Sequence, residues 1–333
     1  MSTISVIIPC YNEAEYIGQF VDSLGEFCTA SHEVTYIIAD GGSDDRTREI
    51  IAEKQLGVNN LTVIDNPKRI VSSGLNLAIL MKDSEFIVRL DVHSSYDQNY
   101  ILNCIDAIIS SGAACVGGPW HISPGDTLMS SAISAAFKSP LGSGGAASRN
   151  INYDGSVDTV YLGAWRRDTL IAIGLFDETF VRNQDDELCL RIIESGEMIY
   201  QDSRIKSQYQ GRRSARTLFK QFYQYGFWKV FVVSKHRKFA NVRHIVPFAF
   251  VVMIICLFVV SIPMLMVFLA LYYVSLLFGQ LLGVKYQGAL HLILSVYCIS
   301  LMHVSYGAGF LKGILFKVLS LSTKKASLAN ISR

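Results

Sequence analysis

The chain has 333 residues, with 28 Asp and Glu, 30 Lys and Arg, 50% hydrophobic residues and a positive mean hydropathy that is unusual for a soluble protein. The near-neutral total hides a division: residues 1–202 hold all 28 acids and 13 of the cations, and the other 17 cations lie beyond Asp202 among no acids at all. A basic half of this kind points to nucleic acid or to an anionic membrane, and the long uncharged apolar runs after about residue 245 exclude nucleic acid and favour the membrane.

In chain order, Ile4–Ile8 is a short apolar strand closed by Pro9, and residues 12–27 read as a helix with Asn12 as its N-cap. Val34–Ala39 is a second strand ending at Asp40-Gly41-Gly42-Ser43, followed by a helix over 44–56 that Asp44 and Asp45 cap. A third strand, 61–65, a helix over 72–81 and a fourth strand, 85–90, ending at Asp91, complete a β-α alternation that predicts a mostly parallel sheet. The continuous apolarity of VTYIIA suits a strand buried on both faces. A helix over 97–111 and a strand over 115–118 come next. Residues 139–156, rich in Gly, Ser and Asn, read as a flexible loop and a candidate lid. Val181–Glu187 then leads into a helix that ends near Ser195.

Beyond the acids, residues 204–244 mix cations and aromatics. Leu218, Phe222, Gly226 and Val230 recur at helical spacing with Arg216, Lys220 and Lys229 between them, a pattern suited to an interfacial helix. Three candidate spans follow, at about 245–262, 264–284 and 289–310, and then a basic tail over 312–333. Three spans would strand Lys312, Lys317, Lys324 and Lys325 across the membrane from the catalytic part, against the positive-inside rule. The seven scattered cysteines show no CxxC spacing, which argues against a disulfide framework or a zinc site and for a cytosol-facing catalytic domain over 1–203. No signal peptide is visible at the start.

Sheets of this kind bind ligands beyond the carboxyl ends of their strands, and three polar clusters occupy such ends. Asp40 can accept a hydrogen bond from a base N–H or cap its own turn. Asp91 and His93, at i and i+2 on an extended segment, point the same way and offer oxygen and nitrogen to a divalent cation, Mn²⁺ or Mg²⁺. Gln184-Asp185-Asp186-Glu187 carries more acid than one N-cap needs and can supply a general base.

Taken together, SVIIPCYNE (5–13), ADGGSDDRT (39–47), SSGLNLAI (72–79), RLDVH (89–93) and NQDDELCLR (183–191) resemble the inverting glycosyltransferase family 2, of GT-A fold. That resemblance implies an α/β, Rossmann-like catalytic domain followed by transmembrane helices. It places Pro9, Tyr11, Glu13, Asp40, Asn76 and Asp91 around a UDP-sugar. Asp91 and His93 take the metal–diphosphate position, and Asp185 is the base with Asp186 as its competitor. The DVH variant and QFYQYGFWK (221–229) look most like the ExoA-type glucosyltransferases of succinoglycan assembly. By that likeness the chain is a multi-pass inner-membrane enzyme. It would move a hexose, expected to be glucose, to a saccharide on a polyprenyl diphosphate, with a place in a polysaccharide assembly complex. QxxRW is not present as such, which favours a single transfer over a processive synthase. Pro9–Glu13 is acidic where a nucleotidyltransferase would want a basic, Gly-rich phosphate loop.

Overall fold

A computed structural model describes residues 1–29, 32–238, 241–283 and 286–319. In chain order the first part comprises β1 (Thr3–Cys10), α1 (Ile17–Leu24), β2 (Glu33–Asp40), α2 (Thr47–Gln55), β3 (Leu61–Asp65), α3 (Val71–Met81), β4 (Phe86–Arg89), β5 (Ser94–Tyr96), α4 (Tyr100–Ser111) and β6 (Cys115–Gly118). Then follow α5 (Leu128–Lys138), α6 (Pro140–Ser143), β7 (Gly155–Ser156), β8 (Tyr161–Arg166), α7 (Arg167–Ala172), α8 (Gln184–Glu194), β9 (Ile199–Gln201) and β10 (Ser207–Tyr209). The remainder is helical: α9 (Ala215–His236), α10 (Val246–Val260), α11 (Ile262–Gly283) and α12 (Ala289–Val318).

Contacts divide the chain into two units, Met1–His121 with Asn150–Gln210, and Ile122–Arg149 with Gly211–Arg333. The catalytic domain, expected to run unbroken over 1–203, is interrupted here by residues 122–149, which belong with the helices. The span 139–156, expected to be a featureless loop, holds α6, a 3₁₀ turn at Ala147–Arg149 and β7, and it is split between the units.

The first unit is an α/β sandwich on an eight-stranded sheet of order β3-β2-β1-β4-β8-β6-β9-β7. β3, β2, β1 and β4 are parallel, and β8 runs antiparallel between β4 and β6. The alternation of β1 explains the two cores. Ile4, Val6 and Ile8 pack under α1 and α4, whereas Ile7 joins Ile37, Leu75, Ile79 and Leu188 on the face covered by α3 and α8. Pro9 does not close its strand, because β1 continues to Cys10 in parallel register with Asp40. Helix α1 starts five residues later than expected. Asn12 has its side chain engaged by Asp44, and the Tyr16 and Ile17 N–H groups bond to the Glu13 carbonyl, so the N-cap falls at Tyr16.

In the second unit, α5, α9, α10 and α11 all contact α12. The apolar stripe of α9 is covered by α12 rather than left bare: Val230, Tyr306 and Phe310 form a buried cluster with Phe222 and Phe248 at its edge. Glycines bring the two backbones together. A Cβ on Gly226 would lie 2.0 Å from the Tyr306 carbonyl oxygen, and one on Gly309 would lie 2.0 Å from that of Tyr223. Among the described residues, three helices are long and apolar enough to cross a membrane, over Val242–Val260, Ile262–Leu281 and Ala289–Val318. The expected basic tail is helical as far as Val318, and residues 320–333 lie outside the described residues.

Candidate active site

β1 and β2 end side by side, and the loops that follow them brace each other. The Asn12 side chain donates to Asp44 Oδ1 (2.7 Å) and accepts from the Asp44 N–H (3.0 Å), while the Asn12 N–H reaches Ser43 Oγ (2.9 Å). The Glu13 N–H bonds to Thr47 Oγ1 (2.8 Å), and Asp45 accepts from the N–H groups of Ala14 and Thr47. Of the two expected caps, Asp45 therefore serves the start of α2, and Asp44 ties the loops together.

Asp40 has no exposed surface. Its carboxylate accepts from the Gly42 and Ser43 N–H groups, the Ser43 hydroxyl and Arg48 Nε, and Arg48 also reaches Asp65. The geometry favours the turn-forming reading of this residue, since a nucleobase N–H would have to share a fully occupied acceptor. Tyr11 closes over Gly41, where even a Cβ would lie 3.1 Å from its ring. Asn76 is buried on α3; its amide pairs with both backbone groups of Phe176 and with Glu178 Oε1, fastening the 176–178 segment to the helix.

The decisive arrangement lies at the end of β4. Arg89, with a side chain 6% exposed, donates Nη1 to Asp185 Oδ1 (2.5 Å), and Nη2 and Nε to Asp91 Oδ1 (3.2 and 3.3 Å). One guanidinium thus joins carboxylates 94 positions apart in the sequence, from the turn after β4 and the first turn of α8. Burial works against the charge of Arg89, but Asp185 and Asp91 outweigh it and raise its pKa. The Asp185 carboxyl keeps 41% of its surface although protein closes around it. Burial first, then Asp91 and Asp186, raise its pKa above the ordinary aspartate value, with Arg89 opposing. Asp186 stands next to it in the same first turn.

Asp91 and His93 do not share an extended strand. β4 stops at Arg89, Val92 is drawn into the core, and the Ser94 N–H closes a turn on the Asp91 carbonyl. The two side chains are therefore placed by a turn and not by strand alternation. Tyr96 fixes that turn, its hydroxyl accepting from the Asp91 N–H (2.7 Å) and donating to the Asp91 carbonyl (3.0 Å). His93 Nδ1 lies 3.6 Å from Glu13 Oε1, which links this turn to the β1 loop. An aromatic wall of Trp120, Tyr161 and Tyr209 stands beside it. Trp120 stacks parallel to Tyr161 at 5.7 Å, and Tyr209 meets the His93 ring edge-on.

The donor set of Asp91, His93 and the neighbouring Glu13 has the chemistry of a divalent-cation site, although among the described residues no three His, Cys, Asp or Glu side chains gather into a metal-binding group. Few protein ligands are expected where substrate phosphates complete the shell, so the residues present fit a metal carried with a diphosphate. Glu187 is not part of this constellation. It is fully buried against Arg191, which also binds the Ile173 and Leu175 carbonyls and so staples α8 to the end of α7.

Sequence reasoning passed over Arg89. Its signal was present: a cation inside the apolar strand EFIVRL must find a carboxylate once buried. The aromatic wall gave no such signal, because Trp120, Tyr161 and Tyr209 lie far apart in the sequence and meet only in the fold.

A mostly parallel α/β sheet with acids gathered at the ends of β1, β2 and β4 and on α8 is a GT-A arrangement. A family model for glycosyl transferase family 2 matches residues 5–173. The chain is 30% identical over 246 residues to the succinoglycan biosynthesis protein ExoA of Rhizobium meliloti, covering 73% of this chain and 74% of that one. It is 26% identical over 322 residues to the dolichyl N-acetyl-α-D-glucosaminyl phosphate 3-β-D-2,3-diacetamido-2,3-dideoxy-β-D-glucuronosyltransferase of Methanococcus voltae, covering 95% and 98%. Among solved structures it resembles the mannosyltransferase PcManGT of Pyrobaculum calidifontis, in complex with GDP-Man and Mn²⁺, with a TM-score of 0.66. That likeness covers 94% and 87% of the two chains at 16% identity, and it speaks to the fold alone. The chain belongs to glycosyl transferase family 2, and it is a glycosyltransferase of polysaccharide or glycan biosynthesis.

Proposed function

We propose that the chain moves a hexose, glucose in the first instance, from a UDP-sugar to a saccharide on a polyprenyl-phosphate or -diphosphate carrier, in one inverting step. The observation that carries this reading is the Arg89 bridge, which holds a donor-side carboxylate, Asp91, and a candidate base, Asp185, on one buried cation. Asp185 takes the proton of the acceptor hydroxyl as its oxygen attacks the anomeric carbon, and the nucleoside diphosphate departs with the bonding electrons. Asp186 is the competing base. Tyr11, Glu13 and Asp40 shape the nucleotide end, with Pro9 and Asn76 supporting their elements. Asp91 and His93 would hold Mn²⁺ or Mg²⁺, which supplies charge stabilisation to the leaving diphosphate.

The carrier-linked acceptor draws support from the name of the Methanococcus voltae relative and from the apolar helices of this chain. Arg212, Arg213 and Lys220 are the cations suited to the carrier's phosphates. Free cysteines throughout the described residues agree with a catalytic part on the cytoplasmic face of the inner membrane. Membranes holding the chain, incubated with UDP-sugars, GDP-mannose and lipid-linked acceptors with and without Mn²⁺ or Mg²⁺, test the reading. Transfer from UDP-glucose to a lipid-linked saccharide supports it. Transfer only from a GDP-sugar, or only to soluble acceptors, overturns the donor or the carrier assignment respectively.

A further inference from the structure

Three apolar helices of sufficient length need not all cross. α10 and α11 are bare along most of their length, whereas nearly half of the apolar part of α12 is buried. Phe258, Val259, Val260, Ile262, Met264 and Met266 surround the α10–α11 turn and are all at least half exposed. Such a surface requires lipid. α12 is different, because protein clads it along its whole length. Its first half meets the α5–α6 segment: His291 Nε2 lies 3.1 Å from Ser131 Oγ, Cys298 meets Met129, and His303 Nε2 lies 3.0 Å from the Leu141 carbonyl. Its second half meets α9, with Tyr306 against Gly226, Gly313 against Phe227 and Val230, Phe316 against Phe231, and Lys317 bonded to Ser234.

The order of those last contacts fixes a direction. From 223 to 234 on α9 and from 309 to 317 on α12 the two helices advance together, so their axes run side by side. Yet α9 carries Arg216, Lys220, Lys229, Lys235 and His236 along its length, which a helix standing in hydrocarbon does not tolerate. α5, with 11 residues, is about 16 Å long and too short to cross. A partner aligned with α9 over one half and clad by α5 over the other shares their depth.

We propose that α12 lies in the plane of the membrane surface, forming one amphipathic layer with α9 and α5, and that only the α10–α11 hairpin enters the hydrocarbon. The exposed apolar residues of α12, Leu290, Ile293, Tyr297, Val304 and Leu315, recur at helical spacing and give the layer its lipid-facing side. The absence of any acid beyond Asp202 matches an anionic lipid surface. A hairpin returns the chain to the side it left, so Lys312 and Lys317 stay with the cations of α9 and the conflict with the positive-inside rule disappears.

Full-length chain with the exposed Cys28 and Cys256 replaced by Ser, its five buried cysteines kept and one exposed cysteine added by Thr217→Cys or Leu319→Cys, is labelled in sealed vesicles with a membrane-impermeant maleimide. The expected result is that Leu319→Cys reacts from the same face as Thr217→Cys. Failure to react from that face overturns the proposal. Depth measured with brominated lipids and fluorophores at positions 290, 297, 304 and 315 should be uniform and shallow, with position 255 on α10 deep. A profile that deepens toward the middle of α12, or a shallow position 255, overturns it equally.

Discussion

In the α/β unit, polar groups gather where strands stop, and one buried cation, Arg89, holds together Asp91 and Asp185, which would otherwise repel each other. In the helical unit the charges are dispersed, and it is missing side chains, at Gly226, Gly309 and Gly313, that let α9 and α12 approach to backbone contact. The first region is governed by charge balance and the second by volume. A substitution that is mild in one should therefore be severe in the other.

The largest effect is expected from removing a charge while keeping shape at the cleft. Asp185→Asn should lower turnover by about 10³-fold, within the range of a lost general base, while nucleotide-sugar binding, followed by calorimetry, is retained. Unchanged turnover would transfer the role to Asp186. Next is Arg89→Met, which leaves two carboxylates facing each other without their cation. Thermal or denaturant unfolding should report a loss of about 3 kcal/mol, at the low end for a broken buried pair because Asp185 is partly exposed. In the seam the charge-neutral change Gly309→Val should cost roughly 1–3 kcal/mol by overpacking, read as a lower melting temperature in detergent, whereas Lys312→Met nearby should be almost silent.

The smallest effect sharpens the electrostatic side. The pKa of Asp185 is raised, so activity that needs its ionised form falls away on acidification at a pH above that of an ordinary aspartate. The sign for stability is opposite: the folded chain holds that proton more tightly than the unfolded chain, so this group's contribution to stability falls as pH rises through the raised value. Asp186→Asn removes one of the charges that raise it, and the acid limb of the pH–rate profile should move to lower pH. A limb that moves upward or stays in place refutes the assignment of that limb to Asp185.

Much of this was legible in the sequence because it is local. β3 and β6 were expected over the residues they occupy, and α3 fell within a residue of its own, since apolar runs bounded by turn residues leave little freedom. The acids at strand ends were legible for the same reason. What failed was long-range. Asn12 looked like a helix cap because nothing nearby showed that Ser43 and Asp44 would claim it. Asp91 and His93 looked like strand neighbours because the inward pull on Val92 depends on the assembled core. The apolar stripe of α9 gave no sign that α12, about 80 residues further on, would cover part of it.

The placement of α5 bears on how the chain is made. Residues 122–149 emerge from the ribosome with Met129 waiting for Cys298 and the Leu141 carbonyl for His303. The residues that cover this segment, from His291 to His303, are synthesised about 160 positions later. Nascent chains therefore carry this segment without its α12 cover through about half of translation, and such late-closing contacts are where newly made proteins meet chaperones or aggregate. Shortened chains that stop before α12 should be held by the quality-control machinery even though every strand of the sheet has already been synthesised.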